Sequence, residues 1–206
     1  MSWNFRPHEL LRYRVARIDS AGGLDVPDLQ EDRICAPHAS TAGVIEEDER
    51  HLLAAIELAG KAREHGNHPF GALLVDADGN VVLEAENTVV TERDCTGHAE
   101  SNLLRMASAR FTPEFLERCT LYTSTEPCAM CAGAIYWGNV RRVVFALSEE
   151  ELRAIVGRNP ENPTLALPCR EVFARGQHEI EVSGPHLREQ ALAVHAGFWD
   201  LELVSE

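Results

Sequence analysis

Short apolar runs that alternate with stretches of helical period constrain this chain more than any other feature. From Glu47 to about Glu64, the residues Leu52, Leu53, Ile56, Leu58 and Ala59 recur at helical spacing, and Gly66 follows as a stop. Gly71 to Val75 and Val81 to Ala85 are short apolar runs joined by Asp76-Ala77-Asp78-Gly79-Asn80, where Asp-Gly supplies the tight turn of a hairpin. Helical period returns from His98 to about Arg110, and Pro113 breaks it. Thr120 to Ser124 is β-rich, Pro127 opens a second helix through about Trp137, and Val140 to Leu147 reads as a buried strand. Ser148 with Glu151 behind it predicts a capped helix to about Val156, ahead of a Pro-rich segment from Asn159 to Pro168. A strand around Ile180 to Val182 and a helix from Pro185 to about Ala196 finish the order. Helices alternating with strands of both orientations give an α/β fold, a three-layer α/β/α sandwich with a central mixed sheet.

The stretch before this pattern is different. Gly22-Gly23, Pro27, Pro37 and Gly43 are turn signals with no sustained period, which sets an N-terminal arm at residues 1–45 and a domain at 46–206, with the boundary near Val44. Arg6, Arg12, Arg14 and Arg17 give the arm the basic character of a mitochondrial presequence, but Glu9, Asp19 and the scarcity of serine argue against one. No apolar run approaches the roughly 18 residues of a membrane span, and no apolar signal core stands at the start, so the expectation is a cytoplasmic protein without membrane contact. Acidic residues number 33 against 19 basic ones, a formal net charge of −14 that repels polyanions and disfavours nucleic acid as a partner.

Six cysteines in a reducing compartment read as buried thiols or metal ligands before they read as disulfides. Cys128 and Cys131 form a Cys-x-x-Cys pair on a predicted first helical turn, where both sulfurs face one side and the helix N-terminus favours the thiolate. His98 opens the preceding helix. Thiolate sulfur with imidazole selects zinc, and Glu100 stands close enough to reach a water on that metal without being a ligand. Cys95 leaves an alternative open, because Cys95, His98, Cys128 and Cys131 would make a closed structural site with no room for water. Cys35, Cys119 and Cys169 read as small buried hydrophobes.

His98-Ala99-Glu100 followed by Pro127-Cys128-Ala129-Met130-Cys131 is the pattern of zinc nucleobase deaminases. With His68-Pro69-Phe70-Gly71-Ala72, Asn87, Thr96-Gly97 and the run from Leu121 to Trp137, the chain resembles the cytidine-deaminase-like superfamily, in its branch of bacterial guanine deaminases and related nucleoside deaminases. The resemblance is firm over residues 47 to 147. It implies one zinc per chain on His98, Cys128 and Cys131 with a water or hydroxide as fourth ligand, Glu100 as the catalytic acid and base, and a homodimer. It also implies substrate contacts from Phe70, Asn87, Ala99 and Pro127, a second carboxylate assigned to Glu161, with Glu149, Glu150 and Glu151 as competitors, and a C-terminal aromatic assigned to Trp199 or Phe198.

The expected activity is zinc-dependent hydrolytic deamination of a free purine base or nucleoside, guanine to xanthine and ammonia first, in purine metabolism. Three alternatives remain at this point. One is a cytosine, cytidine or other small aminated heterocycle deaminase, since only pocket contacts differ. Another is a transfer-RNA adenosine deaminase, which the net negative charge opposes. The last is a non-catalytic zinc-stabilised protein, with Cys95 on the metal.

Overall fold

The computed structural model describes residues 41–157, 159–160 and 162–199, the first five of them as backbone only. The first helix, α1, spans Thr41–Glu64, then come strands β1 (Gly71–Val75) and β2 (Val81–Glu86), the short helix α2 (Val89–Glu92) and helix α3 (Ala99–Arg110). A one-turn helix α4 (Pro113–Leu116), strand β3 (Thr120–Thr125), helix α5 (Ala129–Trp137), strand β4 (Arg142–Leu147) and helix α6 (Glu149–Val156) follow. The order closes with α7 (Cys169–Phe173), β5 (Glu181–Ser183) and α8 (Arg188–His195).

The sheet runs β2-β1-β3-β4-β5. β1 pairs antiparallel with β2 and β3, whereas β3, β4 and β5 are parallel to one another, so the sheet is mixed as expected. Side chains of a strand alternate between faces, and the alternation builds two cores. Ala72, Leu74, Leu121, Val143 and Phe145 pack with Leu103, Leu104 and Ala107 of α3 and Ala132 and Ile135 of α5. Leu73, Val75, Tyr122, Val144 and Ala146 pack on the other face with Leu52, Ala55, Ile56 and Leu58 of α1 and Ala191 of α8. Helices on both faces give the three-layer α/β/α sandwich.

Gly71 is where α1 and the sheet come closest. A Cβ there would lie 2.5 Å from the Ala55 carbonyl oxygen and from the Ala59 backbone nitrogen. Only glycine lets β1 start against the helix backbone. The other end of α1 is tied down by charge: Arg142 Nη1 and Nη2 donate to Asp48 Oδ1 and Oδ2 at 2.9 and 2.7 Å, and the Tyr122 hydroxyl donates to Asp48 Oδ1 at 2.6 Å. Burial alone would raise the Asp48 carboxyl, but the Arg142 and Tyr122 hydrogen bonds outweigh it and hold it below the ordinary carboxylate range.

Three differences from the sequence reading are local. α1 starts at Thr41 and runs through Gly43, because one glycine inside a helix costs only about 1 kcal/mol relative to alanine. Residues 1–40 of the expected arm lie outside the described residues. Pro113 ends α3 but also opens α4 at its first position, with the Thr112 Oγ1 accepting from the Phe115 N–H. The Pro-rich stretch ends in α7, whose Cys169 and Phe173 are buried in the core. No described helix is long and apolar enough to cross a membrane.

Candidate active site

β3 and β4 run parallel, and their carboxyl ends lead into the starts of α5 and α6, the crevice where open α/β sheets hold ligands. Cys128 caps α5 and Cys131 lies one turn inside it, while His98 caps α3. Two helix N-termini therefore meet at one point and present a thiolate-favouring field to it. His98 Nδ1 stands 3.6 Å from the Cys128 Sγ and 3.6 Å from the Cys131 Sγ. Tetrahedral zinc with bonds of about 2.3 Å to sulfur and 2.0 Å to nitrogen separates such atoms by about 3.5 Å, so the three side chains fit the metal. The Cys131 hydrogen bond, joined by His98, holds the Cys128 thiol well below its usual range. Ser101 Oγ packs at 3.5 Å from Cys131 Sγ.

Cys95 is exposed and has no place in this cluster, which among the described residues is the one set of three or more such side chains that could hold a metal. That overturns the closed four-ligand alternative. Three protein ligands with the fourth position facing a cavity is the arrangement of catalytic zinc.

Glu100, in the first turn of α3, is 6% exposed. The Thr123 hydroxyl donates to its Oε1 at 2.7 Å, which fixes the carboxylate and leaves Oε2 directed elsewhere. Burial, reinforced by the nearby Cys128 charge, raises its carboxyl above the ordinary range. A cavity of about 310 Å³ joins Glu100, His98 and Cys128 to His68, Phe70, Thr125, Glu149 and the segment 162–165.

The remaining residues named from the sequence fall in different places. Phe70 lines the cavity. Asn87 is 1% exposed and does not line it, yet its Nδ2 is buried without a partner among the described residues while its Oδ1 accepts from the Val89 N–H at 3.1 Å. Ala99 and Pro127 are buried beside the metal ligands and lie outside the lining. Trp199 is buried behind it, its ring 5.4 Å from His68 and 6.1 Å from Phe70, and Phe198 stands against Trp199 at 4.7 Å. Glu161 lies outside the described residues.

Among the three competing acids, Glu149 is the one that enters the cavity. A capping box at Ser148 starts α6 so that Glu149 occupies its first turn, and the Glu149 N–H donates to Glu126 Oε2 at 3.1 Å. The other oxygen of Glu126 accepts from the Cys169 N–H at 3.0 Å. Burial, with the Cys128 charge nearby, pushes the Glu149 carboxyl up to about 7. The capping box was visible in the sequence, but not the turn of α6 that brings Glu149 to the zinc ligands. Asn162, which also lines the cavity, carried no signal in the sequence.

The family model for the cytidine and deoxycytidylate deaminase zinc-binding region matches residues 45–147. The chain belongs to that family and is a zinc-dependent deaminase, a hydrolase of C–N bonds that takes one zinc per chain. It is 42% identical over 161 residues to a probable cytosine deaminase of Schizosaccharomyces pombe, covering 78% of this chain and 98% of that protein. It is 41% identical over 111 residues to a tRNA-specific adenosine deaminase of Haemophilus influenzae, covering 54% of this chain and 64% of that one. Among solved structures, a guanine deaminase from Nitrosomonas europaea superposes with a TM-score of 0.59 at 26% identity, over 80% of this chain and 96% of its own.

Proposed function

We propose that the chain deaminates a free nucleobase hydrolytically, guanine first, giving xanthine and ammonia. The observation that carries this is the cavity itself. Glu100 and the metal ligands open into about 310 Å³, at the small end of the roughly 300–1,000 Å³ of ligand pockets, which suits a planar ring better than a nucleotide chain. The superposition on the guanine deaminase, extending over most of both chains, supports a purine.

Zinc, when bound, supplies a nucleophile at neutral pH by lowering the pKa of water towards ~7. The protein's residues do the rest. Glu100 takes the proton of the attacking water, passes it to a ring nitrogen, and serves again as acid when ammonia departs. Thr123 keeps the carboxylate oriented for both transfers. Phe70, in the lining, packs on the ring.

Cytosine is the second reading, favoured by one observation: the likeness to the Schizosaccharomyces pombe protein reaches through nearly its whole length. The net charge of −14 opposes transfer RNA. Ammonia release by zinc-loaded protein, measured across guanine, guanosine, cytosine, cytidine and transfer RNA, decides among them. The expected result is the highest kcat/KM with guanine. Turnover of cytosine alone would install the second reading, and turnover of transfer RNA alone would overturn both.

A further inference from the structure

The mechanism above leaves several polar groups of the cavity without work. Asn162 Nδ2 is buried with no hydrogen-bond partner among the described residues, and so is Thr125 Oγ1 in the same lining. Native interiors rarely leave an amide donor in that state, so an acceptor brought by a ligand is the natural complement. Glu149 supplies the opposite character. It is 6% exposed and lines the same cavity as the 162–165 segment. Glu126, holding the Glu149 N–H, fixes that start in turn.

We infer that Asn162 and Glu149 form a specificity-determining pair that reads a lactam edge of the base, Asn162 Nδ2 donating to its carbonyl oxygen and the Glu149 carboxyl accepting from the adjacent ring N–H. This rests on the nucleobase reading and adds the edge of the ring that is recognised. Guanine carries that edge at C6 and N1, and free cytosine carries it at C2 and N1. Adenine has no carbonyl, and cytidine has lost the N1 hydrogen to its sugar. A site built for a polar edge rejects analogues lacking it, because its own buried groups then stay unpaired.

The test crosses protein variants with substrates. Wild type, Asn162→Ala and Glu149→Gln are compared on the base that the wild type deaminates and on its lactam-free analogue. These analogues are 2-aminopurine for guanine and 4-aminopyrimidine for cytosine, followed as turnover or, where they are inert, as competitive inhibition. The expected result is a loss of roughly 10-fold in kcat/KM on the lactam base for each variant, with no change on the analogue and with zinc content and thermal midpoint held at wild-type values. Equal losses on both compounds, or none on either, overturn the pair while leaving base deamination in place. A wild type that turns over no base removes the parent reading and the pair with it. Should Glu149→Gln fail to fold, Asn162→Ala decides alone, since its Nδ2 bonds to nothing among the described residues.

Discussion

Glu100 and the metal ligands divide the chemistry between them, and single substitutions separate the two parts. Glu100→Gln keeps the side-chain shape and the Thr123 contact but cannot accept a proton. It is expected to retain zinc by metal analysis and to lose about 10²–10⁴-fold in kcat. Unchanged kcat would remove Glu100 from the proton path. Cys95→Ser makes the complementary test, because Cys95 lines the cavity but stands outside the ligand cluster. Zinc content should match wild type, and a halved zinc content would bring the closed site back. These residues were legible in the sequence because their spacing is set by single helical turns: His98 and Glu100 share one, Cys128 and Cys131 another. Asn162 was not, since its place at the cavity comes from an irregular segment whose course no period records.

At the scale of elements, starts matter more than ends. The site is assembled from the first turns of α3, α5 and α6. Ser148 caps α6 by accepting from the Glu151 N–H while the Glu151 carboxyl accepts from the Ser148 N–H. Ser148→Ala should lower stability by about 1 kcal/mol, read as a shift in the urea midpoint. A larger cost falls at Gly71. The Cβ of Gly71→Ala meets backbone atoms of α1 that cannot turn aside, so we expect a loss of about 1–3 kcal/mol and a lower thermal midpoint. The strands and long helices were predictable from period, because each buries one face locally. The short α2 and α7 were not, since pieces of one turn carry too few residues to show a period. The ion pair of Asp48 with Arg142 was equally invisible, because it joins residues far apart in the sequence, at the head of β4 and opposite the site.

For the whole molecule, pH dependence follows from a buried histidine. Burial, aided by the Arg63 charge, pushes His195 down to about 4, and its Nδ1 accepts from the Trp199 indole N–H at 3.1 Å. The unfolded chain takes up a proton near the ordinary value of 6.5 and the folded one does not. Stability from this group is therefore complete above pH 6.5 and is lost as pH falls through 4, at a limiting slope of about 1.4 kcal/mol per pH unit between those two values. Urea midpoints of wild type and His195→Gln should diverge at neutral pH and converge towards pH 4. Parallel curves over that window would show that His195 is not the group responsible.

Glu126 joins the first residues of two helices through one carboxylate, gripping Glu149 and Cys169 at either side of the Pro-rich segment. α6 and that segment together are thus pinned at both ends, and the closure cost of a flexible loop rises by only about 0.6 kcal/mol for each doubling. Insertions and deletions between the pins are thus nearly neutral for folding, yet they reshape the wall that Asn162 and Leu165 give the cavity. Rewriting that stretch changes one wall of the cavity and leaves the zinc ligands and Glu100 untouched.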